Sequence, residues 1–104
     1  MPTTGFQKVF PKINKTTQWY LEEILYCLHH YAHMDEEAAY NAIISSENLR
    51  VLLDNDPRFL HTEPGFYWAM CIVHGFDSLW WHDKDLWAQH KAYVIERHHP
   101  PMDD

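Results

Sequence analysis

Phe66-Tyr67-Trp68-Ala69-Met70-Cys71-Ile72-Val73 is the longest uninterrupted apolar run in the chain. A helix built from it has no polar face, and such a helix must be surrounded by other elements rather than lie on a surface. Thr62 can cap its start, with Glu63 and Pro64 in the first turn, where a carboxylate meets the positive end of the dipole and a missing N–H costs little. Gly75 can end it in the left-handed conformation that glycine adopts without strain. The run therefore predicts a buried central helix over about residues 63–74, around which the rest of the chain wraps. Eight residues fall well short of the roughly 20 that cross a bilayer, so no membrane span is expected.

On both sides of this segment the apolar spacing is helical. Leu21, Ile24, Leu25, Leu28 and Ala32 recur at i, i+3, i+4 and i+7, predicting a first helix from about Thr17 to His33 with Thr16 or Thr17 as its cap. Asp35 can cap a second helix that ends near Ser45, and Ser46 a third in which Leu49, Leu52 and Leu53 face inward. Asp54-Asn55-Asp56-Pro57 closes the third, because proline disfavours helix in the residue before it. Beyond Gly75, a single helical turn within Phe76–His82 is expected, capped by Asp77 or Ser78. Asp83 opens a last helix that Pro100 and Pro101 cannot continue. The fold class expected is all-α, a compact irregular bundle of about five helices over residues 16–104. Residues 1–15, interrupted by Pro2, Gly5 and Pro11, are read as an extended N-terminal arm that tucks Phe6, Val9, Phe10 and Ile13 onto the body.

Eight Lys and Arg face fifteen Asp and Glu, giving a formal charge of −7. Lys8, Lys12 and Lys15 lie in the first fifteen residues with no acid among them, so the body beyond carries the whole acidic excess. An acidic surface without a basic stripe argues against nucleic-acid binding, which depends on neutralising phosphates. It suits a basic partner protein, because complementary charge accelerates encounter. Met1-Pro2-Thr3-Thr4-Gly5 lacks the apolar region of a secretory signal, so a cytoplasmic location is expected, with Cys27 and Cys71 reduced and buried.

Nine histidines raise the question of a metal. His29 and His33 stand four apart on the expected first helix, with Glu22 two turns before His29 on the same face, a spacing that can hold zinc or iron. The run lacks the His-Glu-x-x-His arrangement that supplies a general base, and no Cys-x-x-Cys pair accompanies it. His90 falls in the apolar stripe of the last helix and is expected to be hydrogen-bonded within the core. Cys71 and His74 form a nucleophile and base pair only on paper, since the helix around them is apolar. No catalytic residue set and no cofactor motif emerge, and with three glycines a phosphate-cradling loop is not expected.

Trp80-Trp81-His82-Asp83 is the remaining distinctive string. Neighbouring side chains on a helical turn point about 100° apart, so the two indoles cannot both face inward. One exposed ring flanked by Asp77, Asp83 and Asp85 would suit a basic partner, which makes Trp80, Trp81, Asp83 and Asp85 the candidate partner-binding residues. The function expected is a small acidic protein-interaction module, analogous to antitoxins and immunity proteins that mask a basic surface. The alternatives are a metal protein using His29 and His33, and a homodimeric module held by exposed apolar surface.

Overall fold

The computed structural model describes residues 6–100, and within them six α-helices and two 3-10 turns follow one another without a strand. They are α1 (Phe6–Val9), α2 (Lys15–His30), α3 (Glu36–Ile44), α4 (Glu47–Asn55), a 3-10 turn (Pro57–Thr62), α5 (Gly65–His74), a second 3-10 turn (Trp80–His82) and α6 (Lys84–Arg97). The all-α, compact architecture follows from the helical spacing of the apolar residues, and the radius of gyration of 12.8 Å fits a close-packed chain of this length.

Two of the expected caps form, and Asp83, expected to open the last helix, caps it as well. The Asp35 carboxylate accepts from the Ala38 N–H at 2.7 Å, Ser46 Oγ from the Leu49 N–H, and Asp83 Oδ1 from the N–H groups of Asp85 and Leu86. Others differ. Asn14, not Thr16 or Thr17, caps α2, its Oδ1 accepting from the Thr17 N–H at 2.9 Å, and both threonines are buried. Thr62 does not cap α5, because its hydroxyl donates to the Phe59 carbonyl at 2.8 Å and closes the preceding 3-10 turn. Pro64 occupies the cap position of α5 and supplies no side-chain bond. The expected turn cap at Asp77 or Ser78 is also absent, since Leu79 precedes Trp80 and Ser78 Oγ bonds back to the Gly75 carbonyl.

The first fifteen residues, as far as they are described, are not an extended arm. Phe6–Val9 coils into one helical turn that brings Phe6 and Phe10 together into the core, with Ile13 following. Residues 1–5 lie outside the described chain. Lys12 donates to the Asp54 carbonyl at 3.0 Å, tying this segment to the end of α4.

Nor is α5 enclosed on all sides. Phe66, Trp68, Ala69, Met70 and Cys71 are buried, but Tyr67 and Ile72 are half-exposed and Val73 and His74 face solvent. The helix that touches most of its neighbours is α2, which packs against α1, α3, α5 and the Pro57–Thr62 turn and buries nine side chains. The turn is fastened to it by His61, whose ring stacks on Tyr20 and whose Nε2 lies 2.8 Å from Thr17 Oγ1.

At one point α2, α5 and α6 converge. A Cβ on Gly65 would stand 2.9 Å from Glu23 Cβ and 3.1 Å from the Tyr93 hydroxyl, so only glycine lets the start of α5 approach α2 this closely. Glu23 is buried there. It accepts from the Tyr93 hydroxyl at 2.7 Å and from both Nε and Nη2 of Arg97, at 3.1 and 2.9 Å, in the forked geometry guanidinium favours. The other face of Arg97 covers the Tyr26 ring at 3.6 Å. Glu23→Ala should therefore cost about 3 kcal/mol, as breaking a buried pair does. Arg97→Met should cost at least as much, because it leaves the buried Glu23 carboxylate without its counter-charge, whereas the guanidinium left behind by Glu23→Ala is 40% exposed and can be hydrated. A double-mutant cycle read by urea denaturation should report a coupling of about 1–3 kcal/mol, and additive losses would remove the bridge as a determinant of the fold.

Candidate functional site

The Trp80–His82 turn places its two indoles on opposite sides of the protein boundary. Trp80 is only 4% exposed and Trp81 is half-exposed. Trp80 wedges between α5 and α6, edge-on to Phe66 at 5.8 Å and to His90 at 5.7 Å, with Tyr67 also 5.7 Å away. Trp81 lies outside it, nearly parallel to the Tyr67 ring at 6.1 Å between centroids.

Across from Trp81, one turn of α6 presents Trp87 and His90 at i, i+3, the spacing that puts both on one helix face. Their rings stack at 4.9 Å. Glu63 enters from the connector before α5, and the Trp68 indole fixes that connector by donating to the carbonyls of Leu60 at 2.9 Å and Glu63 at 3.2 Å. The result is a pocket of about 320 Å³ lined by Glu63, Tyr67, Trp81, Trp87 and His90. It continues along α6 into a second hollow of about 300 Å³ bounded by Trp87, His90, Lys91, Val94 and Ile95.

The pocket's electrostatics follow from burial. Desolvation pushes the Glu63 carboxyl above its ordinary value, and lowers His90, with His98 adding a smaller push in the same direction. His90 is therefore a neutral ring at neutral pH. The expectation that it is hydrogen-bonded within the core is not met at Nδ1, which is buried without a hydrogen-bond partner.

Of the candidate partner-binding residues, Trp81 lines the pocket and Trp80 holds up its back wall. Asp83 and Asp85 are exposed beside it, Asp83 also capping α6. Glu63, Tyr67, Trp87 and His90 were each legible only as a helix-end acid, an apolar-run residue, a flanking ring and a core histidine. The i, i+3 pairing of Trp87 with His90 is the signal that could have joined two of them.

His29 and His33 do not share a helix face. α2 stops at His30, and His33 stands beyond it with a left-handed φ of 62°. His29 Nδ1 lies 2.7 Å from the Met34 carbonyl and helps close that turn. No group of three His, Cys, Asp or Glu converges among the described residues. Cys71 is buried with its thiol pushed up by desolvation, whereas His74 is exposed, so the two form no nucleophile and base pair.

A further groove of about 410 Å³ runs along α4 and the Pro57–Thr62 turn, lined by Asn48, Val51, Leu52, Asn55, Asp56 and Phe59. It carries no buried polar side chain, and the convergence of a partly desolvated carboxylate and the buried His90 with three aromatic rings sets the first pocket apart. No protein-family model matches the chain, and neither a curated protein nor a solved structure is significantly similar to it.

The two tryptophans separate support from surface. Trp80→Ala should lose about 3–5 kcal/mol in chemical denaturation, whereas Trp81→Ala should lose about 1 kcal/mol or less; comparable losses would mean that Trp81 is part of the core. Acid should also unfold the protein through its buried imidazoles. His90 and His98 are lowered in the folded state, so below the ordinary value of 6.5 the unfolded chain binds more protons and stability falls as pH falls. The urea midpoint should drop between about pH 7 and pH 5, and His90→Gln should flatten part of that slope. An unchanged slope would exclude His90 as its source.

Proposed function

We propose that this chain is an acidic protein-interaction module that masks a basic surface of a partner protein, in the manner of an antitoxin or immunity protein. The observation that carries the reading is the face formed by Trp81 and Trp87, two accessible indoles from different elements that border one hollow with Glu63 in its lining. Trp87 is 43% exposed, and tryptophan is the residue most able to anchor a protein interface. Asp83 and Asp85 stand exposed beside this face and give it the sign that attracts a basic partner. The overall acidic excess extends the same field around it.

Two buried free thiols suit a reducing compartment, and we place the module in the cytoplasm. Among the described residues no helix is long and apolar enough to cross a membrane. The partner supplies lysine or arginine side chains to the acidic rim, and the indoles dock between them.

Affinity capture from the cells of origin, followed by mass spectrometry, tests this reading. The wild-type chain should retain a basic protein that is released when salt rises from about 0.1 to about 0.5 M, because exposed charge pairs are screened over that range. Trp81→Ala with Trp87→Ala should retain little of it. Recovery of chaperones alone, or equal capture by the double variant, would overturn the proposal.

A further inference from the structure

The pocket beneath the Trp81–Trp87 face combines aromatic rings with a carboxylate in its lining. Its side walls are aromatic. Tyr67 and Trp81 run nearly parallel at 6.1 Å, and Trp87, stacked with His90 at 4.9 Å, completes the aromatic lining. An aromatic face attracts a cation within about 6 Å of its centroid through the ring quadrupole, most strongly when the cation is desolvated. Among the described residues Glu63 is the only acidic side chain in the lining, and His90, lowered by burial, adds no competing positive charge at neutral pH.

The lining also discriminates among cations. A lysine ammonium enters with three N–H donors and an arginine guanidinium with five, and each donor buried without an acceptor costs free energy. Among the described residues Glu63 is the one charged acceptor the pocket side chains offer. An ammonium whose hydrogens are replaced by methyl groups needs no acceptors. It presents charge spread over a small apolar shell, and its methyl groups pack directly on the rings. The hollow of about 320 Å³ sits at the small end of ligand pockets, the scale of a head group rather than of a planar cofactor.

We propose that Glu63, Tyr67, Trp81 and Trp87 form an aromatic cage that binds a quaternary ammonium, supplied by a trimethylated lysine side chain of the partner protein. This rests on the interaction reading above in assigning the cation to a protein, while the cage itself requires no partner. Trp80 packs against both Tyr67 and His90 and so backs the lining, and Glu63 provides the counter-charge.

Titration of the purified full chain with Nα-acetyl-trimethyllysine amide, followed by intrinsic tryptophan fluorescence and by NMR shifts of the indole N–H signals, tests it. The derivative should bind at least about fivefold more tightly than the matching lysine and arginine amides, and more tightly than a neutral analogue carrying a tert-butyl group in place of the trimethylammonium. Trp81→Ala and Glu63→Gln should each weaken it about fivefold or more, with the far-ultraviolet circular dichroism unchanged. Equal binding of the neutral analogue would reduce the cage to an apolar hollow and overturn the proposal, as would the absence of saturable binding. Tighter binding of choline than of the lysine derivative would overturn the assignment to a protein side chain. Because these probes involve no partner, a capture that succeeds beside a failed titration rejects the cage and leaves the interaction face standing, and the converse rejects the face.

Discussion

A single buried carboxylate decides how the helices of this protein cross. Glu23 sits where α2, α5 and α6 meet, and a charge in that position is tolerated only if its oxygens are satisfied. Tyr93 and Arg97 satisfy them from α6, and Gly65 makes room for them by presenting no side chain of its own. Each member constrains the others. Moving α5 outward would open a gap over Glu23, and rotating α6 would strip Tyr93 and Arg97 from it together. Arg97 ends α6 where a cation also favours the helix dipole, so the bridge and the helix terminus reinforce each other.

That junction reaches the candidate site through rings. Tyr93 touches Phe66, Phe66 touches both Trp80 and His90, and Trp80 touches Tyr67 and Trp81. Aromatic contacts of this kind carry area burial and a preferred tilt together, so the inner members fix the orientation of the outer ones. The accessible indoles stand on a rigid backing instead of on a loop free to collapse. Trp68 extends the same logic to the connector, holding the carbonyl of Glu63 while leaving its side chain at the pocket.

Local chemistry was legible in the sequence, and long-range chemistry was not. The caps at Asp35, Ser46 and Asp83 and the leucine stripes could be read because their partners lie within a turn. Thr62 has the right residue type for a cap but found a nearer acceptor in Phe59, a choice that propensity cannot resolve. The first helix was expected to reach His33. The chain instead turns over after His30, and the bond between His29 and the Met34 carbonyl supplies a local reason that a hydrophobic pattern does not register. The first fifteen residues were expected to be extended because Pro and Gly punctuate them, yet pairing Phe6 with Phe10 in the core takes one helical turn. The junction at Glu23 joins residues 74 apart in the chain. Nothing in the neighbourhood of Glu23 announces that its partner is Arg97. For the same reason Trp80-Trp81 was visible as a divided pair, whereas the meeting of Trp81 with Glu63 and Trp87 depended on the fold.

Histidine abundance invited a metal reading, but environment sorts these residues by another property. His29, His74 and His82 lie at the surface, while His90 and His98 are driven toward the neutral form by burial. A neutral imidazole is a flat, polarisable ring with no charge to set against a cation, so at neutral pH His90 behaves in the pocket as one more aromatic surface. Below its ordinary titration range the same ring would become an imidazolium stacked on Trp87, occupying the indole face from behind with the charge that an incoming cation carries. Burial thus does two things through one side chain. It couples the stability of the α5–α6 packing to proton uptake, and it leaves the negative charge of Glu63 in the pocket without an opposing imidazolium.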